Sequence, residues 1–202
     1  MLVGMSDTAM SGPEPDPGRT QRQRMAAGAL YRADDPELVE AHLRARELCE
    51  RFNRVGVSDV EGGRAVLSEL LGGLGPGTEI RPPLWCYYGS FLTVGARTFV
   101  NFGLVALDAA AITIGDDVQI GPGVQLLTPA HPVDPELRRS KWESAAPITV
   151  GDNVWLGGGV IVLPGVTIGP DTVVGAGGVV SRSLPAGVVA VGNPARVIRP
   201  VG

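Results

Sequence analysis

The chain has 202 residues, a formal net charge of −4, and 44% hydrophobic but only 5% aromatic residues. This suffices for one sizeable core with an appendage. It excludes a disordered protein, and it excludes a chain that coats nucleic acid by bulk charge. The 29 glycines argue against a plain helical bundle. No apolar run reaches the ~18 residues of a membrane-spanning helix. The start, MLVGMSDTAM, lacks the basic and apolar regions of an export signal. Cys49 and Cys86 form no metal or redox spacing. Two reduced thiols in a cytoplasmic protein are expected, with a disulfide between them left open.

In chain order, residues 1–24 read as a disordered tail, because SGPEPDPGRTQRQR offers almost nothing to bury. Residues 25–75 read as a helical region. A first helix is expected over 34–54, with Asp34 or Asp35 as cap, Pro36 in the first turn and Glu37 near the positive end of the helix dipole. Leu38, Ala41, Ala45, Leu48 and Phe52 recur at helical spacing and define its buried face. A second helix is expected over 59–71. Ser58 and Glu61 have capping-box spacing, Gly72 marks a stop, and Val60, Leu67, Leu70 and Leu71 face inward. Two short amphipathic helices cannot hide these stripes alone and must fold onto the remainder.

Residues 76–202 supply that partner. From Val94 the sequence repeats every six residues, as in IGDDVQ, IGPGVQ, VGDNVW, LGGGVI, VLPGVT and IGPDTV. An aliphatic residue opens each unit. A small or β-branched residue usually follows four positions later, as at Thr98, Val118, Val124, Val154, Val160, Val166 and Thr172. A period of six is neither helical nor a simple strand alternation. It fits short strands joined by tight turns, three units to a triangular coil, with the opening aliphatics stacked inside a solenoid. The register slips by two near Asp108–Ala111. It breaks again at about 130–147, where the polar HPVDPELRRSKWESAA reads as a loop extruded from one corner.

Two features carry chemistry. The chain has two histidines; His42 falls in the first helix, and His131 falls where the repeat breaks. By itself His131 is either a turn-capping loop histidine or a base working near neutral pH. After Asp171 there is no acidic residue, yet Arg182, Arg196 and Arg199 are present. That end is either an ordinary solvated basic surface or a phosphate site. Two histidines are too few for the three ligands of a zinc hydrolyase on a similar solenoid, so no metal is expected. A non-catalytic solenoid scaffold stays open on fold grounds alone.

The hexapeptides, AHPVDPELR, GDNVWLGGGVIVLPGVTIG, the terminal GNPARVIR and the N-terminal AAGALYRADDPELVEAHLRARELCERFN together resemble the maltose/galactoside O-acetyltransferases and nodulation-type sugar acetyltransferases. The resemblance covers roughly residues 25–200. It implies a left-handed parallel β-helix with a small α-helical N-terminal region and a coenzyme A-binding C-terminal end. It also implies a homotrimer with sites between subunits, acetyl-coenzyme A as donor, and a sugar hydroxyl as acceptor; membrane and nucleic-acid partners are not expected. On this resemblance His131 is the general base, Asn101 orients the acceptor hydroxyl, and the Gly158 N–H faces the thioester oxygen. Asp108, Glu143, Tyr87, Asp34 and Asp35 are acceptor-side residues, with Trp155 bordering the acyl and acceptor site. Gly157, Gly158, Ala176 and Ser181 line the donor groove, and Arg182, Arg196 and Arg199 meet the coenzyme A phosphates. Some relatives carry a second acid beside Asp108 where this chain has Ala109, so a non-sugar alcohol or an amine is the alternative acceptor.

Overall fold

The computed structural model describes residues 18–55 and 58–202. The helical region begins earlier than the sequence suggests. α1 spans Gln21–Ala26 and opens on a capping box, in which the Thr20 hydroxyl accepts from Gln23 N while the Gln23 side chain accepts from Thr20 N. The end of the expected tail is therefore helical, because α1 buries Met25 against Tyr31 and Leu38. The rest of the tail, residues 1–17, lies outside the described residues.

α2 spans Pro36–Arg54, with Asp35 as N-cap accepting from Glu37 N at 3.1 Å. Leu38, Ala45, Leu48 and Phe52 are buried, as their spacing requires. α3 spans Val60–Leu70. Its cap is Asp59, which accepts from Gly62 N at 2.9 Å, rather than Ser58. The carboxylate is the stronger N-cap acceptor and sits one residue closer to the first turn. Val60, the first helical residue, points outward and is 75% exposed, while Val66, Leu67 and Leu70 face the core. Cys49 of α2 meets Cys86 of the first coil, Sγ to Sγ at 3.5 Å, as two free buried thiols. Among the described residues no helix is long and apolar enough to cross a membrane.

Beyond residue 72 the chain winds into a parallel β-helix with three faces and six parallel strands on its longest face. The first face stacks Leu84–Cys86, Leu104–Leu107, Gln125–Leu127, Ile161–Val162 and Val179–Val180. The second stacks Gly73–Leu74, Leu92–Val94, Ile112–Ile114, Ile148–Val150 and Thr167–Ile168. The third stacks Glu79–Ile80, Phe99–Val100, Gln119–Ile120, Trp155–Leu156, Val173–Val174 and Val188–Val191, and ends on the antiparallel Arg196–Pro200. The hexad aliphatics form the core: Leu126, Ile148, Val162 and Ile168 are fully buried, as are Val118, Val124 and Val160 four places into their units.

The two-residue slip has a structural origin. Val94 pairs with Ile114, twenty residues on, whereas Val150 pairs with Ile168, eighteen residues on. The early coils spend their extra residues on the corner between the first and second faces, at Tyr87–Phe91 and Asp108–Ala111. The later break, from Pro129 to Pro147, leaves from this same corner. It is folded: Pro129–Ala130 pairs antiparallel with Trp142–Ala145, and α4 (Pro135–Arg139) lies between them. Tyr31–Arg32 adds a third antiparallel strand, binding the helical region to the loop.

Candidate active site

The site residues expected from sequence fall on two corners of the prism. The corner between the third and first faces stacks the turns beginning at Asn101, Gly121, Gly157 and Gly175. Each of these residues donates its N–H to the next coil, Asn101 to Ile120 O at 2.9 Å and Gly157 to Val174 O at 2.8 Å. Gly157 is required there, since a Cβ would stand 2.6 Å from Ala176 N. Gly159 takes φ +68°, a left-handed conformation that ends the turn.

The middle residues of these turns differ in what they offer. The Phe102 N–H is held by the Asn101 side-chain oxygen at 2.8 Å, and Pro122 has no N–H. The N–H groups of Gly158 and Ala176, on adjacent coils, have no protein acceptor among the described residues. They form a column of free donors, about 5 Å apart by the spacing of parallel strands. Asn101, its carboxamide oxygen engaged, keeps its NH2 for another partner. Trp155, two residues before Gly157, stands outward on the third face and is 55% exposed.

The corner between the first and second faces carries His131, Tyr87, Asp108, Ser181 and Arg182. His131 is exposed and directly follows the strand pair of the loop. Glu143 is half-buried on the neighbouring strand and accepts from the Tyr31 hydroxyl at 3.2 Å. Tyr87 is half-buried, its carbonyl accepts from His42 Nδ1 at 3.0 Å, and its ring lies 4.9 Å from the His42 ring. His42 is thus a clamp between α2 and this corner. Burial first, and the Glu143 carboxylate second, push the Tyr87 hydroxyl above the ordinary tyrosine range.

Asp108 departs from its expected role. It is fully buried, and its carboxylate accepts from the backbone N–H groups of Tyr87 at 2.9 Å, Tyr88 at 2.8 Å and Phe91 at 3.1 Å. Burial raises its pKa, against these bonds. A carboxylate so engaged and fully buried shapes the corner and does not face an acceptor from solvent. Asp35 is likewise consumed as the α2 cap. Asp34 is exposed and paired with Arg32 at 2.6 Å, outside the group around Glu143. Tyr31 escaped sequence reasoning, since one tyrosine in a helix-poor linker gives no periodic signal.

At the C-terminal end, Arg182 is exposed. Arg196 and Arg199 project from the final antiparallel strand, where each donates to a nearby backbone carbonyl. None of the three makes an ion pair among the described residues. On the remaining corner Arg97 bridges Asp116 at 3.3 Å and Asp117 at 2.7 Å, and Asp152 and Asp171 on the following coils keep it acidic. No group of three or more His, Cys, Asp or Glu among the described residues could hold a metal ion.

Comparison with known proteins places this geometry. A maltose acetyltransferase hexapeptide capping motif matches residues 24–75, and a bacterial transferase hexapeptide (six repeats) matches residues 147–182. The chain is 47% identical to nodulation protein L of Rhizobium meliloti (strain 1021), over 89% of this chain and 98% of the relative. The chain belongs to the maltose/galactoside O-acetyltransferase family. Its fold agrees with a maltose O-acetyltransferase from Clostridium difficile 630, at a TM-score of 0.90 and 40% identity over 91% of this chain and 98% of the other. A galactoside acetyltransferase solved in complex with coenzyme A superposes at a TM-score of 0.88 and 38% identity, over 91% and 92% of the two chains. In this chain the His131 imidazole stands on one corner and the free Gly158 and Ala176 amides on another.

Proposed function

We propose that this acyltransferase moves the acetyl group of acetyl-coenzyme A to a hydroxyl of a sugar or related acceptor by direct transfer, with His131 as general base. His131 takes the acceptor proton as the acceptor oxygen attacks the thioester carbonyl carbon. Negative charge grows on the carbonyl oxygen, and the Gly158 N–H stabilises it. The tetrahedral intermediate collapses, the carbon–sulfur bond breaks, and coenzyme A leaves as a thiolate that recovers the proton from His131. Asn101 orients the acceptor through its free NH2. The Ala176 N–H and Ser181 meet the pantetheine arm, and Arg182, Arg196 and Arg199 receive the phosphates. Direct transfer is supported by the burial of both cysteines, which removes them as acyl carriers.

The observation that carries this reading is the free Gly158 amide, stacked against the free Ala176 amide on a glycine corner that leads to an acid-free arginine end. Because His131 and Gly158 belong to different corners, the reading includes a homotrimer in which one chain's glycine corner meets its neighbour's loop corner. Outward residues support this. The second face shows a polar column, Thr93, Thr113, Thr149 and Thr167. The first face shows Trp85, Val105 and Ile161 around Gln125, and the third shows Phe99 and Trp155 around Gln119, largely apolar surface suited to burial between copies.

A non-sugar alcohol or an amine is the second reading, supported by the engagement of Asp108 and by Ala109, which together leave the acceptor side short of free carboxylates. An acceptor screen that detects released coenzyme A thiol tests both. Transfer to maltose or a galactoside supports the first, transfer only to non-sugar alcohols or amines supports the second, and no transfer with no coenzyme A binding by calorimetry contradicts both.

A further inference from the structure

We propose that Tyr31 is a positioning residue for His131, acting through Glu143. The inference rests on the reading of His131 as base. It begins from strand register. Tyr31 pairs with Glu143 across one antiparallel ladder. Across the next ladder Pro129 pairs with Ala145 and Ala130 with Ser144. The pairing ends at Ala130; continued by one residue, the same register brings His131 opposite Glu143. Residues directly opposite in antiparallel strands share a face, with Cβ atoms about 5 Å apart. On that continuation Tyr31, Glu143 and His131 fall in one row, with His131 just past the end of its strand.

The row is held from its buried end. Tyr31 is 1% exposed, packed with Met25, Leu38 and Tyr88, and its hydroxyl donates to Glu143 Oε2 at 3.2 Å. Burial foremost, with the Glu143 carboxylate adding to it, holds the Tyr31 hydroxyl far above the ordinary tyrosine range, so it stays a donor at any working pH. Donation to one carboxylate oxygen favours the ionised form and leaves the other oxygen for the imidazole. All three tyrosines of the chain gather here, since Tyr87 and Tyr88 also sense the Glu143 charge. On the loop side, Arg138 ties the backbone that follows His131, donating to Pro132 O and Val133 O at 2.8 Å. A carboxylate facing the imidazole orients the ring and stabilises the imidazolium that forms during transfer. Tyr31 thus couples the docking of the helical region to the catalytic base, giving that region a part in the chemistry.

Tyr31→Phe removes the hydroxyl and keeps the ring, so the packing survives. Expected is a fall in kcat of about tenfold with KM for acetyl-coenzyme A unchanged, and no further loss when Tyr31→Phe is added to Glu143→Gln. The two imidazoles of the chain permit a readout that needs no turnover. In NMR spectra of the full protein, Tyr31→Phe and Glu143→Gln shift the His131 ring resonances, and His42 is the internal control. An unshifted His131 in Tyr31→Phe, or losses in kcat that multiply independently in the double variant, overturns the inference. If the wild type transfers no acetyl group yet His131 still responds to Tyr31→Phe, the proposed activity fails while the Tyr31 link stands.

Discussion

The Gly158 amide is a single N–H whose worth can be isolated, because the neighbouring coil supplies the control. Pro122 holds the same turn position one coil earlier, so this corner accepts proline. Gly158→Pro removes the N–H within a compatible turn, and kcat is expected to fall about 10²- to 10³-fold, as for loss of one oxyanion donor. Gly158→Ala keeps the N–H; its added Cβ meets only Pro122 atoms at 3.4 to 3.5 Å, and activity within a few fold of wild type is expected. Steady-state kinetics on the two variants check this; equal loss in both assigns the effect to bulk rather than to the donor. Apart from the family resemblance nothing in the sequence marks Gly158 among three consecutive glycines; the hydrogen bonds of Gly157 and Gly159 single out its free amide. Asp108 teaches the converse. The family resemblance put it on the acceptor side, but three backbone N–H groups claim it, a partnership set by how far the corner bulges.

At the scale of elements, the tyrosine cluster joins the helical region to the loop and gives the fold a defined alkaline limit. Tyr31 and Tyr88 are held above their ordinary range chiefly by burial. A group whose folded pKa is raised contributes stability that is full below the unfolded value, near 10, and is lost as pH rises toward the folded value. Above pH ~10 each such tyrosine removes about 1.4 kcal/mol of stability per pH unit. Denaturant titrations from pH 9 to 11.5 are expected to show a steep decline for wild type and a shallower one for Tyr31→Phe; parallel declines contradict the burial account. The helices were legible because α2 repeats its apolar residues at helical spacing and carries Asp35 and Pro36 at its start. The α3 cap was missed by one residue because Ser58 and Asp59 both cap, and the stripe alone does not separate them. The pairing of Tyr31–Arg32 with the loop was not legible at all, since contact between residues 31 and 143 leaves no periodic trace in either segment.

At the scale of the whole molecule, the six-residue period dictates the coil, and the coil dictates where chemistry can be displayed. Every inward position is spoken for by packing, as at Leu126, where truncation to alanine is expected to cost about 2 to 5 kcal/mol in denaturant melts. Function is confined to corners and outward faces, and a single chain divides its expected site between two corners. Mixed assemblies test that division. Co-expressed His131→Ala and Gly158→Pro chains, each inactive alone, are expected to regain about a quarter of wild-type activity, because random pairing sets an intact His131 beside an intact Gly158 in about one site of four. No recovery in verified mixed assemblies contradicts a shared site. The direct test of the central claim is steady-state acetyl transfer by His131→Asn beside coenzyme A binding by calorimetry. The account predicts that kcat falls at least 10²-fold while coenzyme A affinity is unchanged; a variant that keeps wild-type kcat contradicts it.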